Sequence, residues 1–323
     1  MSESGGGGGT RAIIAAMSAN LGIAITKLIA ALLSGSGAML AEAVHSFADT
    51  INQVLLLIGG RRSKKTADEE HPFGYGRARF LYGFLVAIIL FSVGGAYSIY
   101  EGVHKLQNPE PLEVPWLPIV VIVISMVLEG FSLRTARHES LPFKGSGSWI
   151  SFIRRAKAPE LPIVLMEDTA ALTGLVFALL GVGLTIITGD PLFDSLGTLF
   201  IGALLLLVAL VLGIETKSLL IGEGASAENV ATIRDAFNAH PDVESLIHMK
   251  TLYLGPDELM IAAKVAFPKA TRLVEIATAI DALEADLRAK IPAARAIYIE
   301  PDIYHPVGEG APATDSVVIR SSD

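Results

Sequence analysis

The sequence predicts an α-helical membrane protein: six transmembrane helices followed by a small cytoplasmic α/β domain of order α-β-β-α-β. Three observations predict it. The chain of 323 residues is 51% hydrophobic and 18% charged with a mean hydropathy of +0.53, too apolar and too poor in charge for an ordinary domain in water. Six apolar segments lie between Arg11 and Ile214, each about 18 to 28 residues, enough to cross ~30 Å of hydrocarbon at about 1.5 Å per residue. After Glu215 the composition turns to mixed charge punctuated by turn signals.

The stretch Met1 to Thr10 is Gly-rich, without a basic n-region or a cleavage site, and is expected to be a disordered tail and not a signal peptide. Segment 1 is Arg11 to Leu33 and segment 2 Ala38 to Ile58. Only Ser34-Gly35-Ser36-Gly37 separates them, a tight turn that makes them antiparallel neighbours. Segments 3 to 6 are Phe80 to Tyr100, Trp116 to Leu133, Leu161 to Thr188 and Leu192 to Ile214, which sets the transmembrane domain at residues 11–214. The loop after segment 2 holds Arg61, Arg62, Lys64, Lys65, Arg77 and Arg79, and the loop after segment 4 holds Arg134, Arg137, Lys144, Arg154, Arg155 and Lys157. The opposite loops carry almost no positive charge, so the basic loops and both termini are expected in the cytoplasm, with the chain in the cell membrane.

The α/β domain, residues 215–306, opens with a helix from Ser226 to Ala239, whose Ser and Glu228 suit a helix start. Strands Val243 to Leu254 and Glu258 to Phe267 flank Gly255-Pro256-Asp257 as a hairpin. A helix Arg272 to Lys290 and a strand Ala296 to Glu300 complete it, and the Gly- and Ser-rich tail from Val307 is expected to be disordered.

Absence of cysteine excludes disulfides, thiolate metal sites, iron-sulfur clusters and cysteine nucleophiles, leaving His, Asp, Glu and backbone to hold any metal. A formal charge of −8 speaks against a nucleic-acid partner. No His-Glu-xx-His, Gly-x-Ser-x-Gly or Walker pattern occurs, so neither enzyme chemistry nor a cofactor is expected. The chemistry concentrates in segment 2, where His45 and Asp49 stand four residues apart in apolar surroundings. Placing an Asp in hydrocarbon costs roughly 2.5 to 3.5 kcal/mol, so such groups usually serve an ion or proton path. One turn apart on one face, an imidazole and a carboxylate close on a single divalent cation, zinc more readily than calcium or magnesium. The alternative is a buried structural pair. An imidazole with an ordinary pKa of about 6.5 also suits exchange of a proton for a metal near neutral pH.

Other intramembrane charges carry paired readings. Glu129 either relays protons or supplies a missing ligand, or pairs with a buried polar group. Glu42, three residues before His45, either orients that ring or is structural, with Asn20 and Asn52 as polar neighbours. Lys27 is expected to pair with an acidic residue or to snorkel, and Asp194 to cap a helix.

The run from Ser34-Gly35-Ser36-Gly37 through Ala41-Glu42-Ala43-Val44-His45-Ser46-Phe47-Ala48-Asp49, with Asn52-Gln53 and His71-Pro72-Phe73-Gly74-Tyr75-Gly76-Arg77, resembles the cation diffusion facilitator family. The stretch Trp149 to Pro162, leading into Leu165-Met166-Glu167-Asp168-Thr169, is similar to the branch containing animal zinc transporter nine. The resemblance implies proton-coupled export of a divalent metal, zinc favoured, by a homodimer. It implies a central site between helices 2 and 5 and a ferredoxin-like cytoplasmic domain that pairs across the dimer. Manganese, iron and cobalt also suit carboxylate-rich variants of such a site, and a membrane sensor or scaffold that binds metal without moving it is the competing class.

One departure from the family pattern bears on the site. A second pair four residues apart is expected on helix 5, but Val164 precedes Asp168 and Ile163 precedes Glu167 at that spacing. The two acidic residues are adjacent, about 100° apart around a helix, so Asp168 is expected as ligand with Glu167 as its partner or replacement. The expected metal set is therefore His45, Asp49, Asp168 and Glu167. Two further metal sites are weighed: His71 with Asp68, Glu69 or Glu70 in the basic loop, against a helix-entry turn with solvated charges, and His240, His248, Glu300, Asp302 and His305 in the α/β domain, against metal-free dimerisation.

Overall fold

The computed structural model describes residues 6–304 and 319–320, with side chains from residue 20 to 304. Residues 1–5, 305–318 and 321–323, which take in most of the expected tails and His305, lie outside the described residues. The chain forms two compact units, Met1–Arg61 with Arg79–Lys217, and Arg62–Ala78 with Ser218–Asp323.

In the first unit each apolar segment lies within a long helix. These are α1 (Gly6–Ser34), α2 (Gly37–Arg62), a composite third helix, then α5 (Trp116–Lys144), α7 (Glu160–Thr188) and α8 (Leu192–Ile221). The composite is α3 (Ala78–Ile89), a π-helical turn (Leu90–Ala96) and α4 (Tyr97–Gln107). α1 therefore enters the Gly-rich start expected to be disordered. A short helix absent from the sequence expectation, α6 (Trp149–Arg155), precedes α7, and the Ser148 hydroxyl caps it by accepting from the Ser151 N–H. Among the described residues four helices are apolar and long enough to cross a membrane on their own: the composite, α5, α7 and α8. α2 falls short because Glu42, His45, Asp49, Asn52 and Gln53 interrupt its apolar run.

The surface of this unit is inverted relative to a protein in water. Val120, Val123, Ile124, Val127, Leu128 and Phe131 of α5 all point outward, while Lys27 is among the largest fully buried side chains of the described residues. Apolar groups outside and polar groups inside are the arrangement that hydrocarbon demands. The chain is a multi-pass membrane protein.

Small residues set the helix spacing. A Cβ on Gly202 of α8 would stand 2.8 Å from the backbone nitrogen of Ile99, and one on Gly102 of α4 3.1 Å from that of Leu199. Backbone-to-backbone approach of this kind supplies the dispersion contact that lipid cannot. Gly35 takes φ 70° in the turn between α1 and α2, a left-handed conformation that suits glycine. Ser36 then caps α2 by accepting from the Met39 N–H at 3.1 Å.

The second unit carries α9 (Ala227–Ala239), β1 (Ser245–Gly255), β2 (Glu258–Ala266), α10 (Leu273–Lys290), β3 (Ala294–Asp302) and a two-residue β4 (Ile319–Arg320). The sheet order is β3-β2-β1-β4, with β1 antiparallel to β2 and to β4, and β2 parallel to β3. The α-β-β-α-β order stands, and β4 adds an edge strand from within the expected tail. Alternation along β2 buries Leu259, Ile261, Ala263 and Val265 in a core shared with Ile233 and Phe237 of α9 and Leu283 and Leu287 of α10.

Candidate metal centre

Four helices of the first unit bring polar groups to one cavity in the bundle. Its walls include Asn20 of α1; Ser46, Asp49 and Gln53 of α2; Glu129 and Ser132 of α5; and Glu167 and Asp168 of α7. The α2 residues 46, 49 and 53 recur at spacings of three and four, so one helical face presents all three. Asn20 bridges α1 to that face through its amide, which donates to the Gln53 carbonyl at 3.1 Å.

His45 is 1% exposed, and its Nδ1 lies 3.5 Å from Asp49 Oδ1. That is too long for a good hydrogen bond. Both His45 ring nitrogens and Asp49 Oδ1 are buried without a hydrogen-bond partner. Orphaned groups of this kind cost about 1–3 kcal/mol each. They have the donor chemistry of a metal ligand set with nothing else to satisfy it. His45 itself is not in the cavity wall.

The adjacent acids of α7 diverge as their spacing requires. Glu167 turns toward α2 and accepts from the Asn52 amide at 2.7 Å, whereas Asp168 turns toward α5 and accepts from the Ser132 hydroxyl at 2.8 Å. Both nevertheless line the same cavity, with Glu129. Among the described residues no three His, Asp or Glu side chains stand close enough to hold a metal ion. The expected ligands are thus gathered around one cavity region but not converged on a point.

Glu42 sits outside the cavity wall. Lys27 of α1 donates to Glu42 Oε2 at 3.1 Å and to the Ser46 hydroxyl at 2.8 Å, all with the ion pair fully buried. Glu42 makes no hydrogen bond to His45, whose nitrogens are both unpartnered. Gly174 of α7 leaves room for it, since a Cβ there would stand 2.5 Å from Glu42 Oε1.

A family model described as the cation efflux transmembrane domain matches residues 13–221. The chain belongs to the cation efflux family. That match and the relatives below bear out the resemblance to the cation diffusion facilitator family and to its zinc transporter nine branch. The proton-coupled zinc antiporter SLC30A9, mitochondrial, of Xenopus laevis is 35% identical over 244 residues, covering 75% of this chain and 44% of that protein. The protein of the same name from Homo sapiens is 34% identical over 75% of this chain and 43% of its own length. Metal tolerance protein C4 of Arabidopsis thaliana is 31% identical over 72% of this chain and 52% of that protein. The chain spans less than half the length of the SLC30A9 relatives it matches. A solved MamM CTD in a nickel form aligns with 25% of this chain and 100% of that one, at 15% identity and a TM-score of 0.24.

In this cation efflux chain Asp194 caps a helix, but not its own. From α8 it accepts from the Ser36 hydroxyl at 2.5 Å and from the Gly37 N–H at 2.6 Å, so it closes the first turn of α2. The loop readings resolve toward structure. Asp68 accepts from Lys65 and Tyr75, each at 2.8 Å, and from the His71 N–H. The Lys65 bond, then those of Tyr75 and His71, hold its carboxyl well below the usual carboxylate range, and the Asp68 and Tyr75 bonds hold Lys65 above its own. In the α/β unit Lys264 pairs with both Asp302 and Glu300, at 2.9 and 3.2 Å, and these bonds push the Lys264 ammonium pKa up.

Sequence reasoning missed Ser46 and Ser132 as cavity groups. Ser132 stands three residues after Glu129, one helical turn along the same face, which is the signal that identifies it.

Proposed function

We propose that this chain is a proton-coupled secondary transporter that exports a divalent metal, zinc, from the cytoplasm, working as a homodimer. One observation carries the reading: four carboxylates, Asp49, Glu129, Glu167 and Asp168, share a cavity inside a bundle whose outer face is hydrocarbon. Such a wall is costly unless a cation or protons occupy it. His45 and Asp49 supply one side of the metal set, and Glu167 and Asp168 the other. The zinc antiporters named among the relatives support zinc, and the imidazole-plus-carboxylate donor set suits it.

The chemistry follows from competition for lone pairs. A ligating imidazole must be neutral and a ligating carboxylate ionised, so metal loading releases protons and proton loading releases metal. Metal arriving from the cytoplasm displaces protons from the ligands, the bundle opens outward, and protons arriving from outside displace the metal. Glu129 lines the same wall, which supports the reading of it as the group that relays them. The basic loops after α2 and α5 support a cytoplasmic placement of both termini in the cell membrane.

The deciding experiment is uptake into proteoliposomes of zinc, manganese, iron and cobalt, with and without a pH gradient, for wild type and His45→Ala. Gradient-driven zinc flux lost in the variant is expected. Saturable metal binding without flux, by a folded dimer, would replace the carrier with a sensor, and preferred flux of another metal would revise the substrate.

A further inference from the structure

A second cavity of the first unit points away from metal. It runs beside α7, where Leu165, Thr169 and Thr173 follow one another at spacings of four, with Val208 of α8 opposite. Its volume is about 970 Å³ including its open mouth. The two threonine hydroxyls are turned back into their own helix: Thr169 donates to the Leu165 carbonyl at 2.7 Å and Thr173 to the Thr169 carbonyl at 2.8 Å. What they offer the cavity is methyl groups. Three positions four apart span two helical turns, about 12 Å of apolar wall.

Polarity is confined to one end. Trp149 of α6 and Arg137 of α5 both line the cavity, with the guanidinium 5.8 Å from the indole centroid, and the Lys144 ammonium stands 5.3 Å from the same ring. Among the described residues neither cation is ion-paired with a carboxylate. Cations and an indole at the end of a hydrocarbon-lined slot are the arrangement that a lipid headgroup and its chain require.

We infer that this groove is a binding site for one anionic phospholipid, its acyl chain along Leu165, Thr169 and Thr173 and its phosphate between Arg137 and Lys144. A second copy of the chain is a poorer occupant, because a protein face would leave two cations to be matched at the edge of an apolar slot. The inference stands whether or not the chain carries metal.

The test is native mass spectrometry of the delipidated full-length chain, reloaded with phosphatidylglycerol or phosphatidylcholine. One phosphatidylglycerol should be retained in preference to phosphatidylcholine. Arg137→Gln should reduce its retention roughly fivefold, the worth of one basic contact at a membrane surface. Thr173→Trp should expel either lipid by filling the slot while Arg137 remains. Equal retention of the two lipids, or of phosphatidylglycerol by wild type and Arg137→Gln, would overturn the proposal. So would displacement of the lipid by millimolar inorganic phosphate, which would mark a free-phosphate site. Conversion of a dimer to a monomer by Thr173→Trp, with no lipid retained by wild type, would give the groove to a second copy. Circular dichroism and size-exclusion chromatography keep a misfolded variant from counting on either side.

Discussion

At the scale of residues, the i, i+4 spacing of His45 and Asp49 was legible from the chain alone, because helical periodicity decides which groups share a face. What the sequence could not reveal is which partner each acid meets. Asn52 with Glu167 and Ser132 with Asp168 depend on how α2, α5 and α7 pack, and no local pattern encodes that. Asp49→Ala should lower metal affinity and flux by more than about a hundredfold, because losing even a group that only orients a ligand costs about 10–100-fold, while the oligomer on size exclusion is unchanged. Wild-type flux in that variant would remove Asp49 from the site. The sequence favoured Asp168 over Glu167, but the Asn52 contact turns Glu167 toward the helix bearing His45 and Asp49. Glu167→Gln is therefore expected to weaken zinc binding in titration calorimetry more than Asp168→Asn, and the reverse order would return the larger share to Asp168. Lys27 poses a separate question of stability. Removing one partner of a buried ion pair costs about 3–5 kcal/mol, because the other charge is left alone. Lys27→Met should lower the melting temperature sharply, and adding Glu42→Gln should restore much of it; additive losses would show that the two do not act as a pair.

At the scale of elements, all six apolar segments were legible, but their ends were not. α5 continues to Lys144 and α8 to Ile221, past the expected Leu133 and Ile214. Hydropathy marks the hydrocarbon layer, whereas backbone hydrogen bonding marks the helix, and the two need not end together. The π-helical turn at Leu90–Ala96 and the short α6 left no clear periodic signal, being set by packing and by a single serine cap. The role of Asp194 belongs at this scale because it joins two elements distant in sequence. Its carboxylate satisfies the Ser36 hydroxyl and the Gly37 N–H, both buried. Asp194→Ala leaves two donors unmet and should destabilise the bundle by about 1–3 kcal/mol. Hydrogen exchange should speed at the first turn of α2 before it does elsewhere; uniform exchange along α2 would mean the cap is not what secures that end.

At the scale of the whole molecule, the fold class was legible because composition divides the chain, yet the division in space does not follow the division in sequence. The stretch Arg62–Ala78, which leaves α2 and leads into α3, groups with the α/β unit. Its attachment there is close: a Cβ on Gly76 would stand 2.7 Å from the Leu254 carbonyl oxygen and 3.0 Å from Glu258 Oε2. Gly76 is thus a position where only glycine fits, at the turn joining β1 to β2. The α/β unit is thereby tied by chain continuity to the helix that bears His45 and Asp49, and not only to the end of α8. Gly76→Val must push this strap off the hairpin, and overpacking of that kind costs about 1–3 kcal/mol. Lys64 and Lys65 are already exposed, and opening by that amount frees the backbone around them to enter a protease, so trypsin should cut within Arg62–Ala78 roughly tenfold faster than in wild type. The sheet should survive, because Gly76 contributes nothing to its β1 to β2 to β3 ladder, and circular dichroism of the variant checks that directly. Equal digestion of the two proteins would mean that the Lys65, Asp68 and Tyr75 bonds hold the strap without the Gly76 contact. Lys65→Ala combined with Gly76→Val would then be the variant in which cutting accelerates.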